Sequence, residues 1–583
     1  MWSFDKFVGK TAIIDEFGVS LSYEDLIREG EKIYEAIGKR CLVFTLCENS
    51  VGSVVGYASF INNRVVPVLL NAHMERELLG NLLDAYSPSY LWVPGSMAEE
   101  FCGNNCGIGG AASNGDGGGA GSGSDVGGAA SGSDVGGAGS NSDVGSAGSN
   151  GGAAVVYEAY DYALIKTCYD KDYPLNDELC LLLTTSGSTG SPKFVRQSYR
   201  NVLSNAESIV SYLELDETER PITTLPMNYT YGLSIINSHF LVGATLLVTD
   251  KGLMQKEFWN FFKEAGATSF GGVPYTYEML SKLRIFRMDL PSLRYMTQAG
   301  GKITSELHQK FAEYAAESGK KFIVMYGQCE ATARMGYLPA NKALEKCGSM
   351  GIAIPGGKFT LIDVDDKEIT SPDVAGELVY EGDNVTLGYA ESGEDLIKGD
   401  ERGGILRTGD VAKRDEDGYY FIVGRMKRFL KIYGNRVNLD EIDRLIKGRF
   451  EGIDVACAGV DDHMYIFLTK ESAEGSSAED GSSEGSIAEG SSTGDSNSER
   501  SSAEGSDSVD SNSENISAEG SDSEDSNSER SSAEGSKLPE RVREYVAHTT
   551  KLNPTAFKVV VIDEIPKNDA GKTLYKELAK YYE

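Results

Sequence analysis

At 583 residues the chain is too long for one ordinary hydrophobic core, so two or more domains are expected. Its composition, with 40% hydrophobic and 25% charged residues, is that of a soluble globular protein. The net charge is −33, but more than half of it lies in two low-complexity strips, residues 103–152 and 472–536. The moderately acidic remainder argues against nucleic acid or an anionic membrane as a partner.

The cysteines and the start of the chain indicate the compartment. The nine cysteines are odd in number and lie mostly in apolar runs, as at Cys41, Cys47, Cys180 and Cys457, which favours reduced buried thiols over a disulfide framework. The first residues, MWSFDKFVGKTAIID, contain no apolar stretch of signal-peptide length, and no window approaches about 18 consecutive apolar residues. We therefore expect a cytoplasmic protein without integral membrane association.

The first hundred residues alternate strand-like and helical patterns. Strands are predicted at residues 11–15, 41–46 and 65–69, and the stretches SYEDLIREGEKIYEAIG and ERELLGNLLDAY have helical periodicity. This alternation predicts α/β layers around a mostly parallel sheet.

Two repeat segments interrupt the globular pattern. In the first, residues 103–152, Ser-Asp-Val recurs at 124, 133 and 142, a period of nine. A calcium-binding nonapeptide roll has this period, but Asn141 stands where its aspartate is required, so we predict a flexible, disordered insert. In the second, residues 472–536, Ser-Asn-Ser-Glu recurs at 496, 511 and 526 with almost no apolar residue to bury, which also predicts disorder.

The α/β pattern resumes at residues 178–337 and then changes. From about Gly351 the chain consists of short strands with Gly and Asp turns, and from Lys427 it forms a small unit of helices and strands. We therefore predict an α/β protein with two domains. Residues 1–426 form a large N-terminal region of α/β layers plus a β-rich subdomain, and residues 427–583 form a small, mobile α+β domain that could act as a lid.

The strongest local motif is LCLLLTTSGSTGSPKFVRQSYRNV, in which an apolar strand ends in a Ser-, Thr- and Gly-rich loop before a helix. Backbone amides and hydroxyls of such a loop, with the charge of Lys193, suit phosphate groups. It is not the P-loop of NTPases, because Pro192 and Phe194 stand where that motif requires Gly and Ser or Thr. The candidate phosphate-binding residues are Thr185, Ser186, Gly187, Ser188, Thr189 and Gly190.

Five motifs together resemble the adenylate-forming superfamily, which includes acyl-CoA synthetases, peptide-synthetase adenylation domains and firefly luciferase. They are TSGSTGSPK, MYGQCEAT, LRTGDVAKRDEDGYYFIVGR, GRMKRFLKIYGNRVNLDEID and IPKNDAGKTLYKEL, in the order that the family has them. The resemblance spans nearly the whole chain outside the repeats. It implies that residues 1–426 are an adenylation core and that residues 427–583 are the mobile lid.

The resemblance assigns roles around the nucleotide. In MYGQCEAT it implies that Tyr326 stacks on adenine, that Gly327 is one of the nucleotide-binding residues, and that Glu330 binds Mg²⁺ next to the triphosphate. This sequence departs from the family at Cys329, where threonine is usual, and a thiol is a poor replacement for a hydroxyl donor. A weakened or altered enzyme is therefore one hypothesis.

The third and fourth motifs extend the implied site. Asp410 matches the aspartate that accepts hydrogen bonds from both ribose hydroxyls, and Arg425 matches a nearby ribose or phosphate contact. Lys427 matches the hinge on which the lid turns between half-reactions, and Gly434 matches the glycine that approaches the thiol tunnel.

The last motif ends the chain and carries Lys572, which matches the family's catalytic lysine of the adenylation step. When a carboxylate attacks the α-phosphate, two anions approach and negative charge builds on the transferred group. An ammonium held between them lowers that electrostatic cost. The implied catalytic residues are Lys572, Glu330 and Lys193.

The acyl pocket of the family is formed by segments that match PMNYTYGLSIINSHF, GGVPYTYEML and YMTQAGGK. The candidate lining residues are Tyr229, Tyr231, Ser234, Gly272, Val273, Ala299, Gly300 and Gly301. Many CoA synthetases carry Phe-His where Asn228 and Tyr229 stand here, so their substrate preference does not transfer. His239, on an apolar helix just beyond, is interpreted as a hydrogen-bonded core histidine.

These motifs imply an ATP-dependent, Mg²⁺-requiring ligase that converts a small carboxylic acid into an acyl-adenylate and passes the acyl group to a thiol. Coenzyme A is the expected acceptor. The phosphopantetheine arm of a separate acyl carrier protein, loaded with an acyl or aminoacyl group, is the alternative. A rival of another class is a nucleotide-binding scaffold in which Cys329 has disabled catalysis and the acidic repeats recruit partners.

Overall fold

The computed structural model describes residues 1–103, 152–169, 171–184, 193–433, 435–450, 452–470, 538–567 and 573–582. The two inserts predicted to be disordered lie almost entirely outside these residues. So do the predicted phosphate-loop residues 185–190, the predicted tunnel residue Gly434 and the predicted catalytic Lys572.

The strands of the described residues are distributed over both predicted domains. In chain order they are β1 Thr11–Asp15, β2 Ser20–Ser22, β3 Leu42–Cys47, β4 Val66–Asn71, β5 Tyr90–Pro94, β6 Ala154–Ala159, β7 Tyr162–Lys166, β8 Leu179–Thr184, β9 Phe194–Ser198, β10 Leu246–Val248, β11 Ser269–Gly272, β12 Tyr295–Gln298, β13 Lys321–Tyr326, β14 Gly336–Tyr337, β15 Ile352–Ala353, β16 Gly357–Ile362, β17 Gly376–Gly382, β18 Gly388–Ala390, β19 Ile405–Arg414, β20 Tyr420–Arg425, β21 Phe429–Ile432, β22 Asn435–Asn438, β23 Val455–Val460, β24 His463–Thr469 and β25 Phe557–Ile562.

The α-helices of the described residues are fewer and mostly short. They are α1 Tyr23–Ile37, α2 Val51–Asn62, α3 Arg76–Tyr86, α4 Ala98–Phe101, α5 Tyr199–Leu213, α6 Thr230–Val242, α7 Lys256–Glu264, α8 Pro274–Lys282, α9 Ser305–Glu317, α10 Leu439–Arg449, α11 Leu538–Thr550 and α12 Tyr575–Leu578. Within the part of the chain that the structure describes, none of them has the length and apolar character needed to cross a bilayer.

The chain divides into two compact units. The first comprises Met1–Lys427 together with Lys567–Leu574, and the second comprises Arg428–Pro566 together with Tyr575–Glu583. The mixture of helices with parallel and antiparallel sheets is the α/β class that the sequence predicted.

The largest sheet of the first unit has eight strands in the order β18-β9-β8-β4-β3-β5-β7-β6. The prediction of a mostly parallel sheet is right only for its centre, since β8, β4, β3 and β5 are parallel and both flanks are antiparallel. The flanks include hairpins, β6–β7 and β8–β9, whose neighbouring strands pair antiparallel. The strand predicted at 11–15 is β1, which instead pairs with β2 and β10 in a separate sheet.

Local sequence explains how the helices of this layer begin. Ser22 and Asp25 form a capping box at the start of α1, and Ser198 and Asn201 form another at the start of α5. Both capping serines are also the last residues of strands, so each helix begins directly at the end of a strand. Helix α2 is apolar or small on every side, and all its residues except the last are buried.

A second sheet of the first unit positions the predicted acyl pocket. Strands β11, β12 and β13 are parallel, and β14 and β15 extend the sheet antiparallel. The three parallel strands end at Gly272, Gln298 and Tyr326. Since carboxyl ends of parallel strands share one edge, this edge collects residues from three predicted motifs. The predicted β-rich subdomain contains a four-stranded antiparallel sheet, β16-β17-β19-β20.

The second unit contains the β21–β22 hairpin and the sheet β23-β24-β25, with α10 and α11 packed on it. A buried ion-pair network joins its elements. Arg428 donates to Asp440 (2.7 Å) and Asp443 (2.8 Å), and its guanidinium lies 3.7 Å from the ring centroid of Tyr575. The Tyr575 hydroxyl also donates to Asp443, at 3.3 Å. The start of this unit is thereby tied to α12, the helix that ends the last motif.

The cysteines mostly agree with the sequence. Cys41, Cys47, Cys180 and Cys457 are buried and free. Burial raises the pKa of the Cys41 and Cys47 thiols to about 12, so they stay protonated and unreactive. Cys168 departs from the expectation of reduced thiols, since it is disulfide-bonded.

His239, on α6, is a core histidine, as its apolar surroundings predicted. Its Nδ1 lies 2.7 Å from the carbonyl of Ile235, and its Nε2 lies 3.0 Å from the hydroxyl of Tyr295. Burial lowers the pKa of His239 to about 4, so the ring stays neutral in the fold and donates to Ile235 while accepting from Tyr295.

This lowered pKa predicts acid sensitivity of the first unit. Between pH of about 6.5 and about 4 the unfolded chain binds a proton at His239 that the folded chain does not, so stability falls by up to about 3 kcal/mol as pH drops. His239→Gln should remove most of this slope. Urea unfolding followed by tryptophan fluorescence measures it, because Trp2, Trp92 and Trp259 all lie in the first unit. A His73→Gln control, at an exposed position, should leave the slope unchanged.

Candidate active site

The residues predicted to contact ribose are brought together around Asp410. This carboxylate is 2% exposed and lies on β19, directly opposite Arg425 on β20. Its Oδ1 accepts from Nε of Arg425 at 3.0 Å. Its Oδ2 accepts from the hydroxyl of Tyr326 at 2.5 Å and from Nε2 of Gln328 at 2.9 Å.

The electrostatics of this cluster keep Tyr326 a donor. Burial, followed by the negative charge of Asp410, raises the pKa of Tyr326 well above its usual range. Gln328 has a second bond to the carbonyl of Thr408, at 3.0 Å, which fixes its amide. Gln328 was not among the predicted site residues, although it lies within the MYGQCEAT motif. The result is a buried acceptor held by three donors from two sheets.

Glu330 follows β13 in a short turn and is held by a residue that the motifs did not identify. Its Oε1 accepts from the hydroxyl of Tyr389 on β18, at 2.8 Å, and its backbone carbonyl accepts from Thr386 at 3.0 Å. Burial, then the charge of Glu330, raises the pKa of Tyr389 to about 12, so its hydroxyl stays a donor at neutral pH. Because β18 pairs with β9, this tyrosine reaches the site through a non-local contact that local spacing does not reveal.

Tyr389 also contacts Lys193. The Nζ of Lys193 lies 4.0 Å from the ring centroid of Tyr389, and it lies 3.6 Å from Oε1 of Glu391. Arg402 contacts the same ring at 4.8 Å. One aromatic ring therefore lies between the predicted phosphate-contacting lysine and the predicted metal-binding carboxylate.

The donor set fits a magnesium ion that takes most of its ligands from elsewhere. No cluster of three or more His, Cys, Asp or Glu side chains able to hold a metal exists among the described residues. Glu330 can offer a carboxylate oxygen. Mg²⁺ prefers such hard oxygen ligands and is usually bound by one or two carboxylates, with phosphate oxygens and water completing the shell. Glu330 is therefore the residue that could hold the ion.

The turn after Tyr326 is unusually tight. A Cβ on Gly327 would lie 1.5 Å from the carbonyl oxygen of Ala333, so only glycine fits there. Thr332 and Ala333 both have positive φ, at 53° and 95°, in the left-handed region that side chains rarely adopt. Cys329 lies in this turn, and its Sγ is 3.8 Å from the carbonyl oxygen of Thr184, the last residue of β8. The thiol therefore packs at the strand end from which the predicted phosphate loop begins.

The predicted acyl-pocket residues lie at the shared strand edge and at the start of α6. A Cβ on Gly300 would lie 2.6 Å from the hydroxyl oxygen of Tyr229 and 3.0 Å from Cγ1 of Val273, so these residues face one another. Tyr231 donates to the carbonyl of Thr297 at 2.8 Å and shares an apolar cluster with Val273 and with Ala299. Gly272, Ser234 and Gly301 lie at the same place in the fold, beside Thr276, Tyr231 and Pro274 respectively.

Sequence reasoning missed Arg334, which lies beside these residues. Its side chain is 2% exposed, and its guanidinium carbon lies 4.3 Å from the ring centroid of Tyr231. The signal was present, since an arginine stands in the otherwise uncharged run ATARMGYL after Glu330.

Of the other predicted residues, the side chain of Lys427 lies outside what the structure describes.

The chain is similar in sequence to known proteins. The family model described as AMP-binding enzyme matches residues 2–390. Curated relatives include a 4-coumarate–CoA ligase-like protein of Oryza sativa subsp. japonica, 29% identical over 49% of this chain and 52% of its own length. Another is the sulfoacetate–CoA ligase of Cupriavidus necator, 29% identical over 50% of this chain and 56% of its own. The chain spans about half the length of the curated relatives it matches.

Solved structures share the fold over almost the entire chain. The o-succinylbenzoate CoA synthetase of Bacillus subtilis, in complex with its acyl-adenylate, has a TM-score of 0.64 at 16% identity, covering 98% of this chain and 95% of that chain. A fatty acyl CoA synthetase of Mycobacterium tuberculosis has a TM-score of 0.57 at 18% identity, covering 98% and 95%. The family match covers well over half of the sequence and coincides with the Tyr326, Glu330 and phosphate-loop motifs. The chain therefore belongs to the AMP-binding enzyme family of adenylate-forming proteins.

Proposed function

We propose that this protein is an AMP-forming acid–thiol ligase that activates a carboxylic acid and transfers its acyl group to coenzyme A. The observation that carries the proposal is a pair of carboxylates near the end of β13, Asp410 bonded to Tyr326 and Glu330 four residues after Tyr326. Asp410, held by three donors, suits the ribose hydroxyls, and Glu330, held by Tyr389, suits a phosphate-bound magnesium ion. This pairing matches the binding of a nucleoside triphosphate at the end of β13.

In the first half-reaction a carboxylate oxygen of the acid attacks the α-phosphorus of ATP. The bond from that phosphorus to the oxygen bridging to the β-phosphate breaks, and pyrophosphate leaves with the electron pair. We assign Lys193 and Lys572 to offset the charge of the two approaching anions, and residues 185–190 with Gly327 to the phosphates. A bound Mg²⁺ would neutralise phosphate charge at Glu330.

In the second half-reaction a thiolate sulfur attacks the acyl carbon of the mixed anhydride. The bond from that carbon to the phosphate oxygen breaks, AMP leaves with the electron pair, and the thiol proton passes to solvent. By motif position we assign Lys427 to the hinge of the lid and Gly434 to the thiol tunnel. Coenzyme A is favoured because several relatives are named as CoA ligases or CoA synthases for chemically different acyl groups, among them feruloyl, oxalate and sulfoacetate.

Lys572→Ala should abolish most adenylate synthesis. Removing an ammonium that stabilises the transferring phosphoryl group should lower the rate by about 10²- to 10³-fold. Carboxylate-dependent exchange of pyrophosphate with ATP measures this step alone. Lys580→Ala, an exposed lysine near the same end of the chain, serves as the control and should retain the wild-type rate. An unchanged rate in Lys572→Ala would refute the assignment, and no exchange with any acid in the wild type would favour the non-catalytic scaffold.

Tyr389→Phe should weaken the use of Mg·ATP without unfolding the site. The substitution keeps the ring that contacts Lys193 and removes only the hydroxyl that donates to Glu330. Loss of one hydrogen bond to a charged group predicts about a tenfold lower kcat/KM for Mg·ATP. Steady-state pyrophosphate release at varied Mg²⁺ measures this change. Tyr419→Phe, outside this cluster, is the matched control, and equal losses in both variants would contradict the role of Tyr389.

An assay in which coenzyme A is the only thiol present identifies the acceptor. With ATP, Mg²⁺ and an accepted acid, addition of coenzyme A should give stoichiometric AMP and a thioester detectable by mass spectrometry. Thioester formation only after a phosphopantetheinylated carrier protein is added would replace coenzyme A by the carrier as the acceptor. The exchange reaction is unaffected by this choice, because it reports only the first half-reaction.

A further inference from the structure

Arg334 is a buried cation whose charge is not compensated within the described residues. It follows the tight turn after Glu330 and lies against α5, α6 and β13 of the first unit. Arginine remains ionised in proteins, so its burial carries a full positive charge into the interior. Within the described part of the chain, no carboxylate lies within ion-pair distance of its guanidinium, which is 2% exposed.

The contacts that Arg334 does make are all neutral. Its Nε donates to Oγ of Ser234 at 3.2 Å, and its Nη1 donates to the hydroxyl of Tyr212 at 3.3 Å and to Sδ of Met325. The ring of Tyr231 lies beside the guanidinium. Of the groups that the structure describes, none accepts a hydrogen bond from Nη2.

These contacts are too weak to account for the burial. Moving an ion from water into a protein interior carries a large desolvation cost. A cation–π contact and neutral hydrogen bonds offset only part of that cost, and a thioether is a poor acceptor. A buried guanidinium in this setting is stable when an anion completes its hydrogen bonds.

The other buried arginines among the described residues have such anions. Arg196, fully buried, pairs with Glu401 and also donates to the backbone carbonyls of Tyr389 and Gly399. Arg428, in the second unit, pairs with two aspartates. Arg334 differs from both, since no anion among the described residues balances it, and this points to a bound ligand.

The groups facing Arg334 do not supply this anion. His239 is neutral, and Tyr212, Tyr231 and Tyr295 remain protonated because burial raises the pKa of each phenol. Glu219, which acts electrostatically on Tyr295, is already paired with Arg294 at 2.9 Å and bonded to Thr268.

Arg334 also lines a cavity that borders the predicted acyl pocket. The polar or small residues lining this cavity include Ser238, His239, Gly271, Tyr295, Thr297 and Arg334. Gly271 immediately precedes Gly272 on β11, and Thr297 lies two residues before Ala299 on β12. Both residues also lie against Tyr231, because a Cβ on Gly271 would be 3.0 Å from its hydroxyl oxygen and the carbonyl of Thr297 accepts from that hydroxyl.

We propose that Arg334 binds a second carboxylate of the acid substrate, so that the enzyme activates a dicarboxylic acid. This inference rests on the proposed function and names its substrate class. One carboxylate reacts at the α-phosphorus, and the other stays ionised and accepts from the guanidinium, including Nη2. The aromatic rings of Tyr229 and Tyr231 enclose the chain between the two carboxylates.

The first experiment compares substrates of equal size and different charge with the full-length protein. Pyrophosphate release is measured with malonate, succinate, glutarate and adipate, and with the monocarboxylates of the same carbon number. Succinamate, which replaces one carboxylate of succinate by a neutral amide, is the isosteric control. The diacid of preferred length should exceed its monocarboxylate and its monoamide by about 10- to 100-fold in kcat/KM, as expected for a charge-assisted pair.

The second experiment replaces the side chain of Arg334. Arg334→Met should lower kcat/KM for the diacid by about 10- to 100-fold and raise that for the monocarboxylate, which inverts the preference. Arg334→Lys, which keeps the charge, should retain part of the diacid preference. Arg200→Met, which removes an exposed arginine of the same unit that pairs with Asp383, should leave the preference unchanged. A general folding defect would lower kcat/KM equally for the diacid and the monocarboxylate. Thermal unfolding with and without ATP identifies such a defect.

The outcomes separate this inference from the proposed function. If the wild type uses monocarboxylates as well as diacids, or if Arg334→Lys and Arg334→Met keep the wild-type preference, the dicarboxylate inference is wrong and the ligase assignment stands. If Arg334→Met raises KM for ATP and leaves the acid preference unchanged, the guanidinium binds a phosphate and the inference is also wrong. If no acid supports pyrophosphate release, the ligase assignment itself fails.

Discussion

The buried carboxylate of Asp410 ties the end of β13 to the β19–β20 pair of the first unit. It accepts from Tyr326 and Gln328 on one side and from Arg425 on the other. An unpaired carboxylate at this depth would cost several kcal/mol, so the donors and the acceptor hold one another in place. The parallel sheet and the antiparallel subdomain are thereby held together at the proposed nucleotide site. Glu330 lies four residues after Tyr326 in the turn that begins at this point.

A second polar cluster, centred on Arg196, holds the strand that carries Tyr389. Arg196, buried in β9, donates to backbone carbonyls around β18 and to Glu401. These bonds fix the strand that carries Tyr389, and Tyr389 in turn contacts both Lys193 and Glu330. Tyr389 lies outside the five motifs, but the pairing of β18 with β9 brings it into contact with Lys193 and Glu330, which lie within them.

The predicted acyl pocket is formed mainly by apolar contacts rather than by polar pairs. Tyr229, Tyr231 and Val273 form apolar walls, whose energetic contribution depends on area rather than on direction. Arg334 is the exception, because a guanidinium is directional and its charge must be balanced. In the proposed enzyme the nucleotide side thus depends on polar pairs completed within the protein, and selection of the acid would depend on one pair that a ligand completes.

Much of this molecule could be predicted without coordinates. The alternation of strands and helices determined the α/β class, and contiguous motifs identified the family and the residues Tyr326, Glu330 and Asp410, because each motif is a short stretch of chain with fixed spacing. Tyr389 and the missing partner of Arg334 could be recognised only in the tertiary structure, as could the antiparallel flanks of the main sheet. Whether a charge is paired depends on distances across the fold between residues far apart in sequence, and local spacing carries no information about those distances.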